Sequence, residues 1–460
     1  MPPVPFDFLV GGELLRSSLG AALAAAGASA ETAAEVEYLL LAPPPAERER
    51  HPHDDWVAAC CRTGAGMVTG AYDGAVRLWA DGSGACGADA GGSGRRGRVG
   101  AAVAATTAAA LRLAAVAERA HEGGVTAVCG GGGRDGEAAP LTCYSAGRDC
   151  AVVQWQVTVA EGGSGGKAPV RAGASVSASA AAGQLTRVAT YEGHTGAVAT
   201  LAAAPGGGAV ASGGWDGTIR VWPGGAAVIE AAEAPPNDDD GSGDGGDALT
   251  TRKRRRGPEV LSSGARGTTP VVVRECEVIG GRDPPPGRSR GHGGCVAGLT
   301  WPAPDRLVSC SWDHSVRVWR VAAGVSPTAT ETLTTQRPVH CVDVRPGDPR
   351  LLSAMGGADP HLRLWDPRGR GADGSVVLRS LASHRGWISA VAWCPRREHI
   401  LVTSSHDGTS KVWDCRGSVP LSTQSGHGDK VLCAGWAGAS RHVTGGADGQ
   451  LRVWEEPARI

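Results

Sequence analysis

One spacing constrains this chain more than any other feature. Seven times a tryptophan stands six residues after an aspartate: Asp73 with Trp79, Asp149 with Trp155, Asp216 with Trp222, Asp313 with Trp319, Asp359 with Trp365, Asp407 with Trp413 and Asp448 with Trp454. The residues between alternate small or polar with apolar, as in Asp216-Gly-Thr-Ile-Arg-Val-Trp222. An Asp-Gly turn followed by period-two alternation predicts a hairpin running into a half-buried strand. The sequence holds 14 tryptophans in 460 residues, so seven at one offset are not chance.

Two further elements keep step with these pairs. His121, His194, His292, His384 and His427 precede their aspartates by 28, 22, 21, 23 and 21 residues, three of them in Gly-His pairs. A hydroxyl stands four residues ahead of the aspartate at Thr69, Ser145, Ser212, Ser309, Thr403 and Thr444. Gly-His, hydroxyl, aspartate and tryptophan in this order resemble the WD-repeat family, whose period is about 40–45 residues. The resemblance implies an all-β fold, a seven-bladed WD-repeat β-propeller over residues 56–460, with a linker and closing strand over 43–55. In such blades the four residues form a structural hydrogen-bonded network. Its first two sets here are His121, Ser145, Asp149 and Trp155, then His194, Ser212, Asp216 and Trp222. The other three are His292, Ser309, Asp313 and Trp319; His384, Thr403, Asp407 and Trp413; and His427, Thr444, Asp448 and Trp454. A catalytic-triad reading of the same residues is disfavoured, because the set recurs from blade to blade and a catalytic site occurs once.

Two blades depart from the pattern. Met355 takes the hydroxyl's place ahead of Asp359, with no Gly-His before it. The unit ending at Trp79 also lacks Gly-His and begins instead with His53-Asp-Asp-Trp56. Apolar packing is expected to hold these two more than the polar network does. Only Glu455–Ile460 follow the last strand tryptophan, too few for an outer strand, so the segment ahead of Trp56 is expected to supply it.

Composition narrows the function classes. The net charge of −1 gives no global field directed at nucleic acid or an anionic membrane. Thirteen cysteines without a CxxC pair read as reduced thiols of an intracellular protein. No apolar run reaches the length of a membrane span. No phosphate-binding loop, metal-ligand spacing or isolated nucleophile is present, so no catalysis, cofactor, intrinsic metal or small-molecule substrate is expected. Insertions near 81–108 and 160–185 are rich in Gly, Ala and Ser and are expected to stay disordered on one rim. A third, near 226–270, carries Asp238-Asp-Asp240 and then the cluster Arg252, Lys253, Arg254, Arg255 and Arg256. Such a cluster fits a nuclear localisation signal or an RNA contact; a solvated charge run is the plain alternative.

Residues 1–42 lie outside the repeat. Pro5–Val10 predicts a strand, Gly11–Arg16 a turn and return, Ser18 the cap of a short helix to Ala26, and Val36–Leu41 a second strand ahead of Pro43-Pro-Pro45. The order resembles the second half of a β-grasp, or ubiquitin-like, fold. More narrowly, Phe6-Asp-Phe-Leu-Val10, Gly12-Glu-Leu-Leu-Arg16, Val36-Glu-Tyr38 and His53-Asp-Asp-Trp56 resemble the Notchless-like N-terminal domain. Joined to seven blades with a charged insertion after the third, it is similar to the WD-repeat subunit of the pescadillo/block-of-proliferation (PeBoW) complex. That resemblance implies a factor of the nucleus, nucleolus and nucleoplasm that matures ribosomal RNA and the large ribosomal subunit. Its implied partners are a block-of-proliferation-type WD-repeat protein, a pescadillo-type protein and the pre-large-subunit particle. It further implies release by the AAA+ ATPase midasin, whose bound metal takes a glutamate of the N-terminal domain; the matching position is Glu31. A hard divalent cation with an open position accepts such a carboxylate. The family carries two more strands and a helix ahead of the position of Pro5. Residues 1–42 would thus be half a sheet with an open edge, poorly supported as an independent domain. A competing reading, from fold alone, is an adaptor of a ubiquitin ligase or signalling complex. Deletion of residues 252–256 is expected to abolish nuclear accumulation of a tagged chain; unchanged accumulation would remove the import role.

Overall fold

The computed structural model describes residues 6–10, 13–14, 36–40, 45–81, 110–131, 141–159, 183–224, 270–280, 291–322, 325–369 and 377–456. The expected helix from Ser18 to Ala26, Glu31, Arg252–Arg256 and most of the three insertions lie outside these residues. The third insertion is followed by strand from Val271, and the second gives way to strand at Gly183, so residues 183–185 belong to a blade rather than to a loop.

The described residues between 46 and 455 form seven sheets, each with four antiparallel strands; one sheet carries a fifth, parallel strand. Blade one is Val57–Thr63, Gly66–Ala71, Val76–Asp81 and Leu111–Ala117. Blade two is Val125–Gly130, Leu141–Gly147, Ala151–Val159 and Gly183–Glu192. Blade three is Val198–Ala203, Ala209–Gly214, Ile219–Pro223 and Glu277–Ile279. Blades four, five and six follow at residues 296–334, 339–382 and 388–425. The architecture is an all-β, seven-bladed propeller, and no described residue is helical.

The blade sequences follow from their packing. A middle strand is covered on both faces by neighbouring blades, so it needs small or apolar residues on both sides. Gly66–Ala71 and Ile400–Ser405 are buried at every position. Among the described residues the core is accordingly seven clusters rather than one. Tyr144, Tyr191, Val198 and Trp222 join blades two and three. Val57, Met67 and Trp79 of blade one meet Val443, Leu451 and Val453 of the last blade.

The last blade closes the ring with strands from both ends of the propeller. Val431–Trp436, Arg441–Gly446 and Gln450–Glu455 are completed by Ala46–Pro52. The register runs from Gln450↔Pro52 to Glu455↔Ala46. Arg452 anchors it, its guanidinium 2.7 Å from Glu47 Oε2 in a buried setting. Glu49 accepts the Leu111 backbone N–H of blade one at 2.7 Å, so the same strand reaches both blades.

The edge of blade two carries an addition that the repeat pattern does not announce. Val271–Val273 lies parallel to Gly183–Glu192, pairing Ala189↔Val271 and Tyr191↔Val273. The chain then crosses to blade three, which covers one sheet edge that would otherwise be open. Ahead of the propeller, Phe6–Val10 forms the middle of a three-stranded antiparallel sheet between Glu13–Leu14 and Val36–Leu40.

His442 stands apart within the core. It is fully buried, stacked on Trp454 at 16° and edge-on to Trp436, and neither ring nitrogen has a hydrogen-bond partner. Burial, then the Arg397 charge, lowers its pKa to about 3. A depressed histidine pKa lets the unfolded chain bind the proton first, so stability falls as pH drops below 6.5. Between about pH 7 and about pH 5 this one residue is expected to cost about 2 kcal/mol. Denaturant unfolding of His442→Leu at both pH values should show a pH dependence smaller by that amount; identical dependence in the two proteins would refute the assignment.

Candidate functional site: the polar relay and the aromatic channel mouth

In five blades the repeat residues form one directed chain of hydrogen bonds. In blade three Trp222 Nε1–H donates to Ser212 Oγ at 2.8 Å, Ser212 lies 2.7 Å from His194 Nε2, and His194 Nδ1 lies 2.8 Å from Asp216. Indole can only donate, so the serine oxygen accepts and its proton is free to point at Nε2. That leaves Nδ1 protonated and donating to the carboxylate. The chain of hydrogen bonds ends on the aspartate carboxylate.

The other four complete blades repeat the geometry. Trp155 donates to Ser145 in blade two, and Trp319 to Ser309 in blade four, each at 2.8 Å. Trp413 donates to Thr403 in blade six, and Trp454 to Thr444 in the last blade, again at 2.8 Å. His121, His292, His384 and His427 link those hydroxyls to Asp149, Asp313, Asp407 and Asp448. Trp155, Trp319 and Trp413 are only 5%, 0% and 0% exposed, so they brace blades and offer no surface to a partner. The hydroxyls of Ser145, Ser212, Ser309, Thr403 and Thr444 belong to fully buried residues, out of reach of a substrate.

Burial and hydrogen bonding act in opposite senses on these groups. Burial alone would raise the Asp407 carboxyl, but Thr409, the Arg385 backbone N–H and His384 outweigh it and hold it at about 2. Burial, opposed by the partner aspartate, lowers the pKa of His292, His384 and His427.

Blades one and five differ from that scheme, and only one differs as the sequence suggested. His53 Nε2 lies 3.0 Å from Thr69 Oγ1, which also accepts Trp79 Nε1–H at 2.9 Å. Blade one therefore keeps a polar network, against the expectation of mainly apolar packing. His53 does not reach Asp73, which pairs with Arg77 at 2.6 Å instead. Burial, reinforced by Arg77, holds His53 at about 4. Blade five has lost the network: Trp365 Nε1 is buried without a partner where Met355 replaces the hydroxyl, and Asp359 is gripped by both guanidinium nitrogens of Arg363.

The turn that carries each aspartate also carries the exposed surface of interest. The residue just ahead of it is Tyr72, Arg148, Trp215, Trp312, Ala358, His406 or Ala447. The seven strand tryptophans are at most 5% exposed, whereas Trp215, Trp312 and Trp387 are 60%, 42% and 51% exposed. Rings line up around one mouth of the central channel: Trp215–Trp312 at 5.6 Å, Trp312–His340 at 5.8 Å, His340–Trp387 at 5.5 Å and Trp387–His406 at 5.7 Å. Trp312 Nε1–H donates to His340 Nδ1 at 3.1 Å, fixing that ring. A second group faces them, with Trp56 stacked on Tyr72 and the Arg148 guanidinium 4.5 Å above Tyr72. Tyr72, Trp215, Trp312, His340, Trp387 and His406 line a cavity of about 290 Å³ at the channel mouth. Tyr72, Trp215, Trp312 and His406 stand one position ahead of a turn aspartate, a signal the blade spacing carries, whereas no such mark distinguishes His340 and Trp387.

Comparison with known proteins bears on the whole chain. The pattern described as "WD domain, G-beta repeat" matches residues 185–223, 285–320, 328–366, 375–414 and 418–455. The chain is 34% identical to the ribosome biogenesis protein WDR12 homolog of Chlamydomonas reinhardtii, over 99% of this chain and 88% of that protein. It is 32% and 31% identical to the homologs of Oryza sativa subsp. japonica and Arabidopsis thaliana, over 98% of this chain and 84% of each. The chain belongs to the WDR12 family of ribosome biogenesis proteins. Within this WDR12-family chain the relay residues hold the blades, and the aromatic mouth is what the blades present.

The contrast between blades three and five is testable. Asp216→Ala removes the acceptor of His194, of two backbone N–H groups and of the Thr218 hydroxyl. Asp359→Ala removes mainly a partly exposed pair with Arg363. The first is expected to destabilise by about 2–3 kcal/mol and the second by about 1 kcal/mol or less. Equal melting shifts in the two variants would count against the relay.

Proposed function

We propose that the chain is a non-enzymatic scaffold of large ribosomal subunit assembly, acting in the nucleus and nucleolus during ribosomal RNA maturation. The observation that carries this reading is similarity over nearly the whole chain to proteins named for ribosome biogenesis. The geometry supports a binding rather than a catalytic role. The buried relay hydroxyls serve the blades, while the exposed aromatic side chains form a surface. The proposed partners are a block-of-proliferation-type WD-repeat protein, a pescadillo-type protein and the pre-large-subunit particle. Midasin is proposed to remove the factor through a metal ligated by Glu31, a carboxylate of the N-terminal segment. Arg252–Arg256 are proposed to direct nuclear import.

Affinity purification of the tagged chain from nuclear extract is expected to yield the block-of-proliferation-type and pescadillo-type partners with pre-ribosomal RNA. A ubiquitin-ligase scaffold in their place would overturn the proposal. Glu31→Ala should keep those partners and lose midasin; retained midasin binding would reject the role of Glu31 alone.

A further inference from the structure

We propose that the arc Trp215–Trp312–His340–Trp387–His406 is a binding site for the arginine or lysine side chain of an extended segment of a partner protein. The proposal rests on the scaffold reading only in taking the partner to be a protein.

Shape limits the occupant. Five rings from blades three to six follow one another at 5.5–5.8 Å around one mouth. The cavity they border, about 290 Å³, is no larger than the smallest pockets that hold whole small ligands. It suits one long side chain better than a cofactor. Trp215, Trp312 and Trp387 are three of the four exposed tryptophans among the described residues, Trp56 being the other.

Charge selects a cation over an apolar anchor. The faces of indole rings carry negative potential, and Trp is the strongest of the cation–π partners. Trp215, Trp312 and His406 each immediately precede a relay aspartate. Those relays end on Asp216, Asp313 and Asp407, one residue along the chain from the arc; burial opposes their ionisation, but histidine, hydroxyl and backbone N–H donors outweigh it and favour the carboxylate form. Arg317 sits 3.6 Å from Asp313, the one arginine ion pair at these three carboxylates among the described residues. An apolar anchor would gain nothing from these carboxylates. Position follows too. Arg148 is engaged over Tyr72, and Arg385 and Lys430 stand in loops toward blades six and seven. The loops at 193–197, 291–295 and 312–315 contain no lysine or arginine. The cation is therefore placed at Trp215 and Trp312.

The test is a titration of the full chain, with tryptophan indoles labelled with nitrogen-15, by two acetylated peptides. One is Gly-Ser-Arg-Ser-Gly; the other carries citrulline, a neutral isostere, in place of arginine. Indole signals of Trp215 and Trp312, assigned by single Trp→Phe variants, are expected to shift saturably with the arginine peptide. The citrulline peptide should bind at least about tenfold more weakly. Trp215→Ala, a largely exposed position, should weaken arginine-peptide binding by a similar factor with an unchanged melting temperature. Equal shifts with both peptides would show plain apolar contact and overturn the proposal. So would tighter binding of an eight-nucleotide oligouridine at the same indoles, or no shift at about 10 mM peptide. The titration reads the site and the nuclear purification reads the partner, so each can fail without the other.

Discussion

Closure of the ring is the constraint on which the rest depends. Ala46–Pro52 pairs with Gln450–Glu455, two segments separated by nearly the whole propeller in sequence. Each blade buries its faces only against its neighbours, so an open ring would expose two whole blade faces to water. The cluster of Met67, Trp79, Leu451 and Val453 exists only when the ends meet. The closing segment does more than pair. Glu49 holds the outer strand of blade one, and His53, just beyond the strand, supplies that blade's missing imidazole. Closure and the blade-one network are thus made by one short stretch of chain.

The relay explains why a structure of separate cores tolerates so many buried polar groups. Each hydroxyl accepts from an indole and serves a histidine, and each histidine serves a carboxylate, so no member is left unsatisfied. Blade five shows what happens when one member is lost. Once Met355 removes the hydroxyl, the indole nitrogen is orphaned and the aspartate turns to Arg363. Blade one shows a partial version, in which the imidazole, hydroxyl and indole remain connected while Asp73 has gone to an arginine. The turn itself is strained in two blades. The residue after the aspartate is left-handed, Gly in four blades but Cys150 and His314 in two, with φ of 64° and 68°. A side chain there costs roughly 1–2 kcal/mol.

The same architecture separates holding from binding. Polar groups that could be mistaken for catalytic residues are consumed inside the blades. Residues one position away from them, on the same turns, are left to face the channel mouth. A repeat fold can therefore vary its surface residue by residue, as the series Tyr72, Arg148, Trp215, Trp312, Ala358, His406, Ala447 shows, without touching the set that holds each blade.

By itself the sequence determined the seven blades and the identity of the five complete relays, down to the indoles of Trp155, Trp222, Trp319, Trp413 and Trp454. These rest on local turn geometry and on short, regular spacings that a periodic fold repeats. It also marked the polar defect of blade five at Met355. Tertiary structure alone decided the role of His53, because its partners Thr69 and Trp79 belong to a different strand set and no Gly-His pair flags it. It alone placed Val271–Val273 beside blade two, since parallel pairing across an insertion leaves no trace in spacing. Finally, it gathered tryptophans and histidines from four blades into one arc. A radial fold brings equivalent turn positions together around its axis, and no local pattern in the chain reports that convergence.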